Sequence, residues 1–117
     1  MYSIRKRELF IESQSYSFDY DIREVIPYKD RFIVLLEIPN DSDSINNIYC
    51  IDSNAKLVWR VYDLKSAGLG YKDYLPYEGI SLVEDTLIAT DFYGRRFRID
   101  PETGMILGSG NDGGRLW

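Results

Sequence analysis

At 117 residues, with 44% hydrophobic and 15% aromatic side chains, the chain has the composition of one globular domain able to bury a core. Fourteen Lys and Arg against 19 Asp and Glu leave a net charge of −5, with no histidine and a single cysteine. That balance argues against a nucleic-acid partner, which calls for a basic face. The residue counts exclude an internal disulfide and remove the commonest general base and metal ligand.

The chain begins MYSIRKRELFIE, where three cations are followed only by Leu9, Phe10 and Ile11 before Glu12, too short an apolar run for a secretion signal. No segment approaches the roughly 20 apolar residues that span a bilayer, so the expectation is a cytoplasmic protein without a membrane partner. From Tyr16 to Arg23, Tyr16, Phe18, Tyr20 and Ile22 alternate with Ser17, Asp19, Asp21 and Arg23, which predicts a strand buried on one face.

A first strand-rich unit follows. Glu24 to Tyr28 leads into a Lys29-Asp30 turn, and Arg31 to Glu37 contains the unbroken apolar run Phe32 to Leu36, the pattern of a strand covered on both faces. Pro39 stops it, and Asn40 to Asn47 (NDSDSINN) reads as an exposed loop. Ile48 to Asp52, a turn at Ser53-Asn54-Ala55, and Lys56 to Tyr62 complete the unit. Tyr62 to Gly68 is the one place for a turn of helix. The second unit runs Ile80 to Val83, turn Glu84-Asp85, Thr86 to Thr90, a short connection Phe92-Tyr93-Gly94, Arg95 to Asp100, turn Pro101 to Gly104, and Met105 to Leu107. The glycine-rich stretch Gly108 to Gly114 argues for a mobile tail that Leu116 and Trp117 could pin back.

The two units are copies of one plan. Asp52 and Asp100 fall 48 positions apart, within the period of about 40 to 50 residues typical of propeller blades. The single domain 1–117 then divides into N-terminal strands (1–23), a blade-like unit (24–62), a connection (63–79), a second unit (80–109) and a tail (110–117). IYCIDSNAKLVW and FRIDPETGMIL resemble the blade signature of quinoprotein-type (PQQ-like) β-propeller repeats, in which a strand ending in Leu-Asp precedes a Thr-Gly turn and a strand ending in Trp. The likeness covers about 55 of 117 residues. Trp59 occupies the signature position, Gly108 replaces it in the second unit, and Ala55 replaces the turn glycine in the first. The resemblance implies that these residues hold neighbouring blades together and brings no quinone, metal or active site. Two units cannot close a ring. The expected fold is therefore all-β, with two antiparallel four-stranded blade-like sheets plus N-terminal strands, open as a two-sheet sandwich or as a partial propeller or barrel. The N-terminal strands are expected to cover most of the sheet edges.

Little in the chain supports catalysis. Cys50 lies in a strand pattern, Ser66 beside Lys65 is no recognisable motif, and Asp52 and Asp100 sit where carboxylates cap turns. Asp41 and Asp43 are spaced as in a calcium loop, but glycine and glutamate are missing from its sixth and twelfth positions. No cofactor is expected.

The connection is longer than structure requires. It places Tyr71, Tyr74 and Tyr77 among Asp63, Asp73 and Glu78, a mixture of amphipathic rings and carboxylates suited to a basic partner, with Asp41 and Asp43 as further candidates. The other reading is that these tyrosines cap the apolar end of the sheets. Small size, acidity and absence of catalytic groups are similar to bacterial immunity proteins, which neutralise basic nuclease toxins by occluding their active sites. The expectation is a non-catalytic, monomeric protein-binding module of that type. The alternative is an assembly protein whose units oligomerise or dock on a larger β protein.

Overall fold

The computed structural model describes residues 1–110 and contains three antiparallel sheets, none closed into a barrel. β1 (Tyr2–Arg5), β2 (Glu8–Ile11) and β3 (Gln14–Ser17) form the first sheet. β4 (Ile22–Tyr28), β5 (Arg31–Leu36), β6 (Ile48–Asp52) and β7 (Leu57–Arg60) form the second, and β8 (Tyr77–Val83), β9 (Thr86–Asp91), β10 (Arg96–Ile99) and β11 (Ile106–Gly110) the third. Each is a simple meander, so the all-β, open, two-unit reading holds. The expected tail from Asn111 on, with Leu116 and Trp117, lies outside the described residues, whereas Gly108 to Gly110 belong to β11.

The middle sheet is buried on both faces. Ile33, Leu35, Ile48 and Cys50 meet Ile80, Leu87, Ala89, Phe97 and Ile99 of the third sheet, while Val34, Leu36 and Ile51 meet Leu9, Ile11 and Phe18 on the other side. Alternating residues of β5 thus serve two cores, which is why that strand is apolar without a break. Burial pushes the Cys50 thiol up to about 12, leaving it a small apolar side chain.

Two expectations are corrected here. The N-terminal strands do not cover sheet edges; they form a sheet of their own, the first, packed against a face of the second. The strand expected over Tyr16 to Arg23 breaks after Ser17, because the chain must leave one sheet for the next. Its alternation survives the bend: Tyr16, Phe18, Tyr20 and Ile22 all pack into the core between those sheets. The crossing is tied down by hydrogen bonds from the Phe18 and Ile22 amides to the Arg7 and Lys6 carbonyls at 2.8 and 2.7 Å.

One end of the stack carries tight turns. Glu84 and Asp85 take φ of 50° and 64°, the doubly left-handed form that matches strand twist in a two-residue hairpin. Asp52 Oδ1 accepts from the Asn54 and Lys56 amides at 2.9 and 3.0 Å, and Asp100 Oδ1 from the Glu102 amide at 2.9 Å, so both carboxylates cap turns as their positions suggested. Ala55 takes φ of 61° in place of a glycine.

These turns also join the sheets. Trp59 Nε1 donates to the Pro101 carbonyl at 3.0 Å and the Tyr62 amide to the Gly104 carbonyl at 3.0 Å. On the same turn, Glu102 accepts from Tyr28 and Lys29, each at 2.7 Å. The Lys29 and Tyr28 hydrogen bonds hold the Glu102 carboxyl below its ordinary 4.5, so this link contributes above that pH and is lost as acidification passes the lowered value. Gly104 has φ of 80°, and a Cβ there would lie 2.6 Å from Trp59 Cε3. Gly104→Ala is therefore expected to cost about 2–4 kcal/mol in urea unfolding, from left-handed strain plus displacement of the indole. A loss below about 1 kcal/mol would mean that the turn relaxes freely.

Candidate functional site

The opposite end carries the remaining connections, two of them long. Residues 37–47 join β5 to β6, residues 92–95 join β9 to β10, and the chain between the sheets runs over the same end. The helical turn expected near Tyr62 to Gly68 is a single 3-10 turn, Leu64–Ser66, with Leu64 buried. Asp63 caps it, and hydrogen bonds from Asn46 and Ser66 hold its carboxyl below the usual range.

The stretch expected to be an exposed loop is anchored. Asn47 is 1% exposed and Ile45 is buried. The Asn47 side chain donates to the Leu36 carbonyl at 2.7 Å and the Tyr77 carbonyl at 2.9 Å, and accepts from the Tyr77 amide at 2.8 Å, so one amide clamps the second sheet to the third. Asn46, at φ of 48°, accepts from the Leu64 amide at 2.8 Å.

A second anchor lies in the β9–β10 connection. Asp91 Oδ1 accepts from the Tyr93 and Arg95 amides, each at 3.0 Å, and Oδ2 meets Arg95 Nε at 2.7 Å. Both residues are buried, at 4% and 7% exposure. The Arg95 guanidinium lies over the rings of Tyr71 and Tyr93, 4.4 and 5.2 Å from their centroids, and donates to the Asp73 carbonyl at 3.2 Å. Tyr71 in turn bonds Ser109 at 3.1 Å. One buried cation therefore positions both the tyrosine-rich connection and Tyr93.

Between these anchors opens a cleft of about 400 Å³, lined by Ile38, Pro39, Asn40 and Ser42 on one wall and Leu75, Pro76, Glu78, Phe92 and Tyr93 on the other. Phe92 is 76% exposed and Tyr93 59%, their rings 6.2 Å apart edge to face. Glu78 faces Arg23 at 3.5 Å. Asp41 and Asp43 are exposed on either side of Ser42, and exposed Asp73 lies 3.4 Å from the Tyr93 hydroxyl. Of the eight residues singled out from sequence, Glu78, Asp41, Asp43 and Asp73 thus gather at or beside one cleft.

The other four are corrected or reassigned. Tyr77 is 2% exposed and packs edge to face on Phe97, so it belongs to the core and offers no contact surface. Tyr71 and Tyr74 are half-buried against the same core, and Asp63 is occupied as a cap. The physical reason is the spacing. Tyrosines every third residue in an irregular chain passing over an apolar sheet end turn inward, leaving the carboxylates outside. Phe92 and Tyr93, which line the cleft, were not among the residues singled out from sequence; two consecutive aromatics in a short connection, where no alternation explains them, were the available signal. The basic run Arg5 to Arg7 lies at the β1–β2 turn beside Phe18 and Ile22, with Arg7 paired to Asp21 at 3.2 Å.

Among the described residues, no group of three or more His, Cys, Asp or Glu is arranged to hold a metal ion, and no helix is long and apolar enough to cross a membrane.

A family model for a domain of unknown function, DUF7957, matches residues 1–117. The chain belongs to that family. No curated protein matches the DUF7957 chain in sequence. Among solved structures it is similar to the computationally designed Ika8 protein, with a TM-score of 0.60 and 5% identity over 96% of this chain and 36% of that one. The chain therefore spans about a third of the designed chain's length, and the likeness concerns the fold alone.

Proposed function

We propose that the protein is a non-catalytic binding module, and specifically a small acidic inhibitor of the immunity type that neutralises a basic, nuclease-type toxin in the cytoplasm by occluding its active site. The observation that carries the reading is the cleft rim, where two solvent-exposed aromatic rings, Phe92 and Tyr93, stand beside Glu78, Asp41, Asp43 and Asp73. Exposed rings supply contact area at small entropic cost, and surrounding carboxylates steer a cationic partner. The net charge of −5 favours the same encounter. The blade-like units, read as quinoprotein-type repeats, serve here as a rigid frame for those loops.

Coexpression with a nuclease-type toxin encoded beside its gene is expected to restore growth. The double variant Asp73→Lys, Glu78→Lys is expected to lose that protection and to slow association about tenfold or more in surface binding at low salt, with unfolding unchanged. Cells that die despite the wild-type protein would overturn the toxin reading. An assembly role is the second reading, favoured by the three sheets being left open rather than closed into a ring. A monomeric mass in dilute solution would reject it.

A further inference from the structure

We infer that the cleft receives an arginine side chain presented by the protein partner, its guanidinium on the Glu78 carboxylate and its flat face on the Phe92 ring. This rests on the binding-module reading and narrows it to one chemistry. The charge is complementary: among the described residues Glu78 is the one charged side chain lining the cleft, exposed Asp41 and Asp43 flank the lining residue Ser42, and residues 37–47 hold no cation. Among the described residues the one charged partner of Glu78 is Arg23, at 3.5 Å with both side chains 42% exposed. That distance shows that a guanidinium reaches this carboxylate and holds it loosely, so a better-placed one can displace it.

The walls fit the rest of the side chain. Ile38, Pro39, Leu75 and Pro76 offer apolar surface to an aliphatic stem, and Phe92 carries no cation over its ring among the described residues. The neighbouring ring shows the arrangement already made within the chain, since Arg95 lies 5.2 Å from the Tyr93 centroid. Arginine fits better than lysine because its planar, weakly hydrated head both stacks on a ring and pairs two-pronged with a carboxylate.

The test titrates the isotope-labelled full chain with N-acetylarginine N-methylamide, and separately with the lysine equivalent, by amide chemical shift. Changes confined to Asn40, Glu78, Phe92 and Tyr93, with lysine weaker by about fivefold, are expected. Glu78→Gln and Phe92→Ala should each weaken arginine binding by about fivefold without altering the melting temperature. Equal response to lysine, indifference to both substitutions, or no saturable change overturns the inference. If toxin neutralisation persists while the titration fails, only the arginine chemistry falls. If arginine binds as described but no toxin is neutralised, the fault lies in the inhibitor reading.

Discussion

Asn47→Ala is expected to lower the unfolding free energy by about 3–5 kcal/mol, a large part of the 5–15 kcal/mol of a typical domain. The substitution removes the side-chain partner of three backbone groups, the Leu36 carbonyl and both the amide and carbonyl of Tyr77, at a site 1% exposed. Each buried polar group left unsatisfied costs about 1–3 kcal/mol. Asn47→Asp is the sharper control, since it is nearly isosteric, keeps an acceptor for the Tyr77 amide and turns the two donor contacts into repulsions between oxygens. It should destabilise at least as much at neutral pH. Urea unfolding that gives either variant less than about 1 kcal/mol of loss would show that the two sheets do not depend on this clamp.

Asp91→Ala carries the second large effect, about 3–5 kcal/mol, because it leaves the Arg95 guanidinium buried without its charge partner. It also removes the acceptor of the Tyr93 and Arg95 amides. The consequence reaches beyond stability. Arg95 positions Tyr71, Tyr93 and the Asp73 carbonyl, so the amides of residues 71–74 and 92–95 should exchange with solvent faster than the rest of the third sheet. Arg95→Met should itself destabilise, by leaving the Asp91 carboxylate buried and alone. The double variant should cost less than the two single losses combined, by more than about 1 kcal/mol. Strict additivity would mean that the pair does not act as a unit.

Both predictions concern residues whose importance is not written in their immediate sequence. Asn47 ends a run of turn-forming residues and reads as solvent-exposed; it is a clamp because Tyr77, thirty positions on, brings its backbone to the amide. Asp91 falls between the predicted strand Thr86 to Thr90 and the connection Phe92-Tyr93-Gly94, and is the last residue of β9. Its turn repeats the one at Asp52, with the carboxylate accepting amides two and four residues ahead, but only at Asp91 does a buried arginine complete the site.

What the chain's own pattern determined is local in origin. The strand run of β5, covered on both sides, the carboxylate-capped turns at Asp52 and Asp100 and the helical turn after Asp63 follow from periodicity and turn chemistry within a few residues, and the division into two like units from the recurrence of that pattern 48 positions on. The tertiary structure decided what depends on which surfaces meet. It stacked the N-terminal strands on a face instead of along an edge, turned Tyr77 into the core, and gathered Phe92, Tyr93 and Glu78 in the lining of one cleft. Side-chain alternation states which face of a strand is apolar and leaves open what covers it. That choice is made by long-range burial and by the hydrogen bonds that buried polar groups must find.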